Sequence, residues 1–171
     1  TMLKHTGSKI GKSTCEMDCA HLIKEILANS KKYNCKITCP EDFVVSKNMD
    51  DAGKEKNLDE IDEDDIILDI GTKTITSIKK LINVSNTVLW NGPAGYFENH
   101  NFQNGTKQIT EIISKKTIND NIFSVAGGGE TVAAINKFGK IDSFTFVSTA
   151  GGAFLEYLEG KSLPGISALN Q

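Results

Sequence analysis

The chain has 171 residues, a formal net charge of −3, 39% hydrophobic residues and 24% charged residues. This length suffices for one domain with a hydrophobic core but is too short for two large domains. Nucleic acids and anionic membranes attract basic proteins, so the negative balance argues against both as partners. The composition is that of an ordinary globular protein.

All 19 basic residues are lysines, and the sequence contains no arginine. Arginine is the usual residue for bidentate binding of phosphate groups. If the protein binds phosphates, it must use backbone N–H groups, helix N-termini and lysines, or another polypeptide segment must supply the arginine. No apolar run approaches the roughly 20 residues of a membrane span, and no signal peptide opens the chain. The sequence therefore predicts a cytoplasmic protein without a membrane partner.

The first 65 residues give weak signals of secondary structure. Residues 13–16 read as a capping box, which predicts a helix that continues to about Lys32. Residues 36–38 and 43–46 predict two short strands. Residues 50–65 are acidic and show no periodicity, so they predict a loop exposed to solvent.

The remainder of the chain alternates between apolar strands and amphipathic helices. The predicted strands are 66–70, 87–90, 122–126 and 144–147. The predicted helices are 74–82, 106–115, 131–138 and 152–158. Continuous apolar strands separated by helices are typical of parallel sheets. The sequence therefore predicts an α/β fold, a three-layer Rossmann-like parallel sheet with helices on both faces.

Three of the predicted strands end in turns rich in glycine, at residues 91–95, 127–129 and 150–152. The carboxyl ends of parallel strands meet at one edge of a sheet, where ligands bind. Glycine lets the backbone approach an anion closely, and a helix N-terminus offers free N–H groups. Any one of these turns could need glycine only to reverse direction. Together, the three turns predict a site for a polyphosphate.

Two other phosphate-binding patterns are incomplete. Residues 7–13 resemble a P-loop, but the first glycine is one residue too close and no clear strand precedes it. Residues 127–132 lack the last glycine of the dinucleotide pattern, because Val132 occupies that position. The cysteines form two C-x-x-x-C pairs, a spacing that a zinc site can accept. One pair lies in a predicted helix and the other brackets a predicted strand, which favours reduced cytosolic thiols.

Three segments resemble signature segments of the phosphoglycerate kinase family. They are LWNGPAGYFE at 89–98, VAGGGET at 125–131 and STAGGAFLEYLEGKSLPG at 148–165. Their order and separation also fit the family, and the resemblance extends over essentially the whole chain. Residues 1–171 are therefore similar to part of the C-terminal, nucleotide-binding domain of such a kinase.

The resemblance implies reversible phosphoryl transfer in glycolysis and gluconeogenesis. ATP with Mg²⁺ and 3-phosphoglycerate form one pair of reactants, and ADP and 1,3-bisphosphoglycerate form the other. The family binds the phosphoglycerate through an N-terminal domain, which also carries the arginine that stabilises transfer. No part of that domain is present in these residues. The full-length enzyme is expected to be a monomer.

The resemblance also assigns roles to individual residues. Those on the ribose and adenine side are Glu98, Gly92 and Pro93. Those that present N–H or hydroxyl groups to the phosphates are Gly128, Gly129 and Thr131. Glu130 faces the metal ion. Gly151 and Gly152 lie at a helix N-terminus aimed at the transferred phosphoryl group, where a dipole helps catalysis.

The sequence departs from the family pattern at three positions. Glu130 replaces the usual aspartate, which puts the affinity for Mg²⁺ in doubt because Mg²⁺ demands regular geometry. Ala150 replaces a glycine, and alanine would be strained there if that position needed a positive φ. Met49 lies where an aromatic residue beside the adenine is usual.

Together these features predict that the chain supplies only the ATP/ADP side of the enzyme and is inactive alone. Two alternatives remain, namely a shortened module that binds a nucleotide without chemistry and a remnant that binds nothing. A dinucleotide-dependent dehydrogenase is disfavoured, because the glycine pattern is incomplete.

Overall fold

The computed structural model describes residues 1–169, which form seven helices and six strands. The helices are α1 (Met2–His5), α2 (Ala20–Lys32), α3 (Thr72–Asn83), α4 (Asn104–Asp120), α5 (Gly129–Lys137), α6 (Gly151–Leu158) and α7 (Pro164–Leu169). The strands are β1 (Asp42–Ser46), β2 (Lys54–Asn57), β3 (Ile66–Ile70), β4 (Thr87–Asn91), β5 (Phe123–Gly127) and β6 (Phe146–Ser148). Within this range, no helix combines the length and the apolar character that a membrane crossing needs.

Strands β4, β5 and β6 form a parallel sheet in that order. Helix α4 connects β4 to β5, and α5 precedes β6. The main hydrophobic core lies between these helices and one face of the sheet, and its buried members include Trp90, Ile109, Ile113, Ala126 and Ile135. The predicted α/β fold with a parallel sheet and packed helices is therefore confirmed.

The other face of the parallel sheet is only partly covered. Leu89, Phe123 and Phe146 point to this face and remain 47%, 52% and 55% exposed. At its carboxyl end, the ring of Phe154 from α6 packs over Gly127. Side chains alternate between the two faces of a strand, so Trp90 is buried while its neighbour Leu89 stays half exposed.

A second, antiparallel sheet has the order β2-β1-β3. Strand β3 was expected beside the other predicted parallel strands, but it pairs with β1 instead. Residues 50–65 were expected to be a loop, yet they contain β2 and a 3-10 turn at Leu58–Glu60. Strand β2 consists of polar residues, KEKN, so its sequence carries no apolar periodicity; pairing with β1 defines it.

Two expectations for the first 40 residues are wrong. Helix α2 begins at Ala20, so the capping box at residues 13–16 does not open it. The Ser13 hydroxyl instead accepts a hydrogen bond of 2.8 Å from the backbone N–H of Ile67, which ties the first loop to β3. Residues 36–38 form no strand.

Asp69, which is 1% exposed, joins β3 to the start of α4. Its carboxylate accepts hydrogen bonds of 2.8 Å from the backbone N–H groups of Ile70 and Gly105. Gly95 and Gly105 pack so closely on this carboxylate that a Cβ at either position would overlap it. Burial outweighs the hydrogen bonds and raises the pKa of Asp69 to about 6.

We expect Asp69 to make the free energy of unfolding fall as the pH rises from about 4 to about 6. The folded state holds the Asp69 proton more tightly than the unfolded state. The contribution of Asp69 to the free energy of unfolding is therefore complete below its pKa in the unfolded state, and it is lost as the pH rises through its pKa in the folded state. The loss amounts to about 3 kcal/mol. Urea unfolding of wild type and Asp69→Asn should show it, because the variant shares every other titrating group. Equal pH dependence in the two proteins would contradict the expectation.

Candidate functional site

The first glycine-rich turn, residues 91–95, is held in place by side chains on both sides. Gly92 has a φ of 92°, which favours glycine. Its N–H donates a hydrogen bond of 2.7 Å to the Thr131 hydroxyl, and its carbonyl accepts one of 2.7 Å from the indole N–H of Trp90. The turn after β4 is therefore attached directly to the first turn of α5.

The second turn, residues 127–129, opens α5. Gly128 is the N-cap residue and has a φ of 96°. Its N–H donates to the carbonyl of Ser148 at 3.2 Å, which joins this turn to the end of β6. The first bond within α5 runs from Val132 N–H to the Gly128 carbonyl. The N–H groups of residues 129–131 consequently have no partner within the helix.

The third turn opens α6 and touches the second. A Cβ on Gly151 would overlap the Cα of Gly128 and lie 2.7 Å from its amide nitrogen. Only glycine at this position allows the N-termini of the two helices to approach so closely. Ala150, the N-cap residue of α6, has a φ of −86°, so alanine is not strained there. The first bond within α6 runs from Phe154 N–H to the Ala150 carbonyl, which leaves the N–H groups of residues 151–153 free.

The three turns surround one cavity of about 320 Å³. It is lined by Asn91, Gly92, Gly128, Gly129, Glu130, Thr131, Thr149, Gly151, Gly152 and Leu155. Glu130 is the one charged residue among these lining residues. No lining side chain is cationic, so positive charge in the cavity comes from the N-termini of α5 and α6, whose N–H groups and helix dipoles carry partial positive charge.

Seven of the residues singled out from the sequence line this cavity, while Pro93 and Glu98 do not. Pro93 lines a second, largely apolar cavity of about 410 Å³, together with Ala94 and Gly95 of the first turn. Met49, Leu68 and Tyr96 also line that second cavity. Glu98 is exposed and lines neither cavity.

Asn91, Thr149 and Leu155 also line the cavity formed by the three turns, and the sequence analysis did not single them out. The Asn91 amide lies beside the Gly127–Gly128 backbone, and its nitrogen would be 3.4 Å from a Cβ at Gly127 and 3.6 Å from one at Gly128. Their places in the sequence could have identified the two polar residues, because Asn91 ends β4 and Thr149 follows β6 directly. Polar residues at the carboxyl ends of neighbouring parallel strands meet at one edge.

Glu130 is the residue that the sequence suggests as a ligand of a metal ion. It lies exposed in the first turn of α5 and lines the cavity. Among residues 1–169, no group of three or more His, Cys, Asp or Glu side chains could hold a metal ion. Mg²⁺ is usually held by one or two carboxylates together with substrate phosphates and waters. Glu130 is the one carboxylate that lines this cavity, so a metal ion here would need phosphate and water ligands as well.

The fold and the cavity define an α/β protein with a candidate anion site at the carboxyl ends of its parallel strands. The sequence model of the family described as "Phosphoglycerate kinase" matches residues 1–161. A phosphoglycerate kinase of Xanthobacter autotrophicus is 44% identical over all of this chain, which covers 44% of that protein. One of Francisella philomiragia is 43% identical, with coverages of 100% and 43%.

Solved structures agree with the sequence matches. The phosphoglycerate kinase of Coxiella burnetii superimposes with a TM-score of 0.89 at 38% identity, over 97% of this chain and 42% of that one. The enzyme of Pyrococcus horikoshii gives a TM-score of 0.73 at 27% identity, over 99% and 42%. The chain belongs to the phosphoglycerate kinase family. It spans less than half the length of these relatives.

Proposed function

We propose that the chain forms the ATP/ADP side of a phosphoglycerate kinase, which transfers a phosphoryl group reversibly between ATP and 3-phosphoglycerate. The observation that carries the proposal is the contact between Gly128 and Gly151, which brings two helix N-termini to one cavity. Their free N–H groups suit a polyphosphate, and membership of the family supplies the identity of the reaction.

The two cavities beside the first turn match the two ends of a nucleotide. The apolar cavity that Pro93 lines suits a base, and the glycine-rich cavity that Gly92 lines suits phosphates. Thr131 is 1% exposed, and its hydroxyl oxygen accepts from Gly92 N–H, so the hydroxyl proton remains available to donate to a phosphate oxygen. Glu98 would accept hydrogen bonds from the ribose hydroxyls.

Gly151 and Gly152 would act on the transferred phosphoryl group. Phosphoryl transfer is catalysed mainly by positioning and by stabilising charge. The N–H groups at the start of α6 are fixed by the helix and by contact with Gly128, so they need no rearrangement when charge develops. Glu130 would hold Mg²⁺ together with the nucleotide, and the bound ion neutralises negative charge on the phosphates.

The same proposal includes features carried over from the family. 3-Phosphoglycerate would bind to an N-terminal domain, the full-length enzyme would be a cytoplasmic monomer, and its pathway would be glycolysis or gluconeogenesis. The cavity lining contributes no cationic side chain, and the sequence contains no arginine. We therefore infer that these 171 residues bind nucleotide but do not catalyse transfer alone.

We expect the chain to bind ADP with Mg²⁺ and to show no turnover. Titration calorimetry measures the binding, and an assay coupled to ATP formation from 1,3-bisphosphoglycerate measures turnover. The full-length Xanthobacter autotrophicus enzyme serves as the positive control in both. Turnover approaching the control would overturn the inference of inactivity. Absence of ADP binding by a folded chain would overturn the proposed nucleotide site.

A further inference from the structure

The last residue of α5 contacts the segment that carries Glu98. The ammonium group of Lys137 donates hydrogen bonds to the carbonyls of Phe97, at 2.6 Å, and Glu98, at 3.4 Å. The same ammonium lies 5.9 Å from the ring centroid of Phe97, which is 5% exposed. One cation therefore binds two consecutive backbone groups and an aromatic face.

Helix α5 thereby holds both ends of the segment 92–98. At the N-terminus of the helix, Thr131 accepts from Gly92 N–H; at the C-terminus, Lys137 donates to the carbonyls of Phe97 and Glu98. No hydrogen bond or ion pair of the Glu98 carboxylate itself is found among the described residues. Its backbone is fixed while its carboxylate remains free to accept a ligand.

We propose that Lys137 is a positioning residue for nucleotide binding, which holds the Glu98 carboxylate at the correct place relative to the phosphate cavity. This inference rests on the proposed function. The tether lowers the entropy lost when the segment orders around a ribose, because the segment is ordered before the ligand arrives. Lys137 lines neither cavity, so it acts on the ligand through the segment that carries Glu98.

The test compares a ligand that contains a ribose with one that lacks it. Calorimetry with ADP and with inorganic pyrophosphate, both with Mg²⁺, is carried out on wild type, Lys137→Met, Lys137→Arg and Lys115→Met. Methionine keeps the packing of the stem but removes the donors, and arginine keeps both the charge and the donors. Lys115 is an exposed residue of α4 and provides the matched control.

We expect Lys137→Met to weaken ADP binding by about 10-fold and pyrophosphate binding by less than about 2-fold. Lys137→Arg should retain most of the affinity, and Lys115→Met all of it. In a Glu98→Ala background, Lys137→Met should have no further effect, because the side chain that Lys137 positions is absent.

Equal weakening of both ligands by Lys137→Met would overturn the inference, since that pattern indicates a general effect on α5. An undiminished effect of Lys137→Met in the Glu98→Ala background, or no effect of Lys137→Met on ADP binding, would also overturn it. Retained pyrophosphate binding shows that the variant is folded. If wild type binds pyrophosphate but not ADP, the proposed nucleotide function fails, and this inference fails with it.

Discussion

Gly151→Ala should eliminate measurable binding of ADP with Mg²⁺ and lower the free energy of unfolding by about 1–3 kcal/mol. The added methyl group would overlap the Cα of Gly128 and lie 2.7 Å from its amide nitrogen. Backbone atoms cannot rotate away as a flexible side chain does, so the N-termini of α5 and α6 must separate. Their free N–H groups would no longer point at one cavity.

Calorimetry and urea unfolding measure the two effects of Gly151→Ala. Gly165→Ala is the matched control, because a Cβ at Gly165 meets no atom within 4 Å and its φ is not positive. The control should leave binding and stability essentially unchanged. If Gly151→Ala bound ADP as tightly as the control does, the close contact between the two helix N-termini would not define the site.

Thr131→Val should have the second largest effect, because the Thr131 hydroxyl has a structural and a binding role. Its oxygen accepts from Gly92 N–H at 2.7 Å in a position that is 1% exposed. Valine has nearly the same shape but leaves that N–H without its partner, which lowers the free energy of unfolding by about 1–3 kcal/mol. Binding should weaken as well, because a phosphate loses a donor and the first turn loses its attachment to α5.

The variant Thr131→Ser separates the effect of the Thr131 hydroxyl from the effect of its methyl group. Serine keeps the oxygen, so this control should bind ADP within about 3-fold of wild type. Calorimetry and denaturant unfolding are again the measurements. If Thr131→Ser and Thr131→Val weakened ADP binding and lowered the free energy of unfolding equally, the packing of the methyl group would explain both effects, and the hydrogen bond to Gly92 would not.

The second half of the fold could be predicted because its sequence carries strong local signals. The strand predicted at 87–90 is observed as Thr87–Asn91, and the helix predicted at 106–115 extends over Asn104–Asp120. Strands buried in a parallel sheet are continuously apolar, and the helices between them repeat with a helical period, so both leave readable patterns.

In the first half, the strands predicted at 43–46 and 66–70 are observed as Asp42–Ser46 and Ile66–Ile70, but other features could not be predicted, for a physical reason. Strand β2 is polar and exposed along half its length, so pairing with β1, rather than burial, defines it. Ser13 lies in a sequence that suits a helix cap, but a backbone N–H of β3 uses its hydroxyl. The choice of β1 as partner for β3 depends on contacts distant in sequence, which periodicity does not report.

The candidate site shows the same division. Glycines at the carboxyl ends of strands indicated where the three turns would meet, and they line one cavity. The sequence could not indicate that Gly151 touches Gly128, or that Gly92 donates to Thr131, because both contacts join segments from different strands. The positions of Pro93 and Glu98 outside that cavity likewise follow from the path of the chain after the turn.

One face of the parallel sheet carries the half-exposed side chains of Leu89, Phe123 and Phe146. The thermal stability of this chain therefore depends on whether another polypeptide covers that face. Its accessible surface is 10610 Å² at a mass of 18.6 kDa. A compact monomer of that mass has about 8,200 Å². Removing apolar surface from water stabilises by roughly 25 cal/mol per Å². Any polypeptide layer that covers this face would therefore stabilise the folded state by mass action.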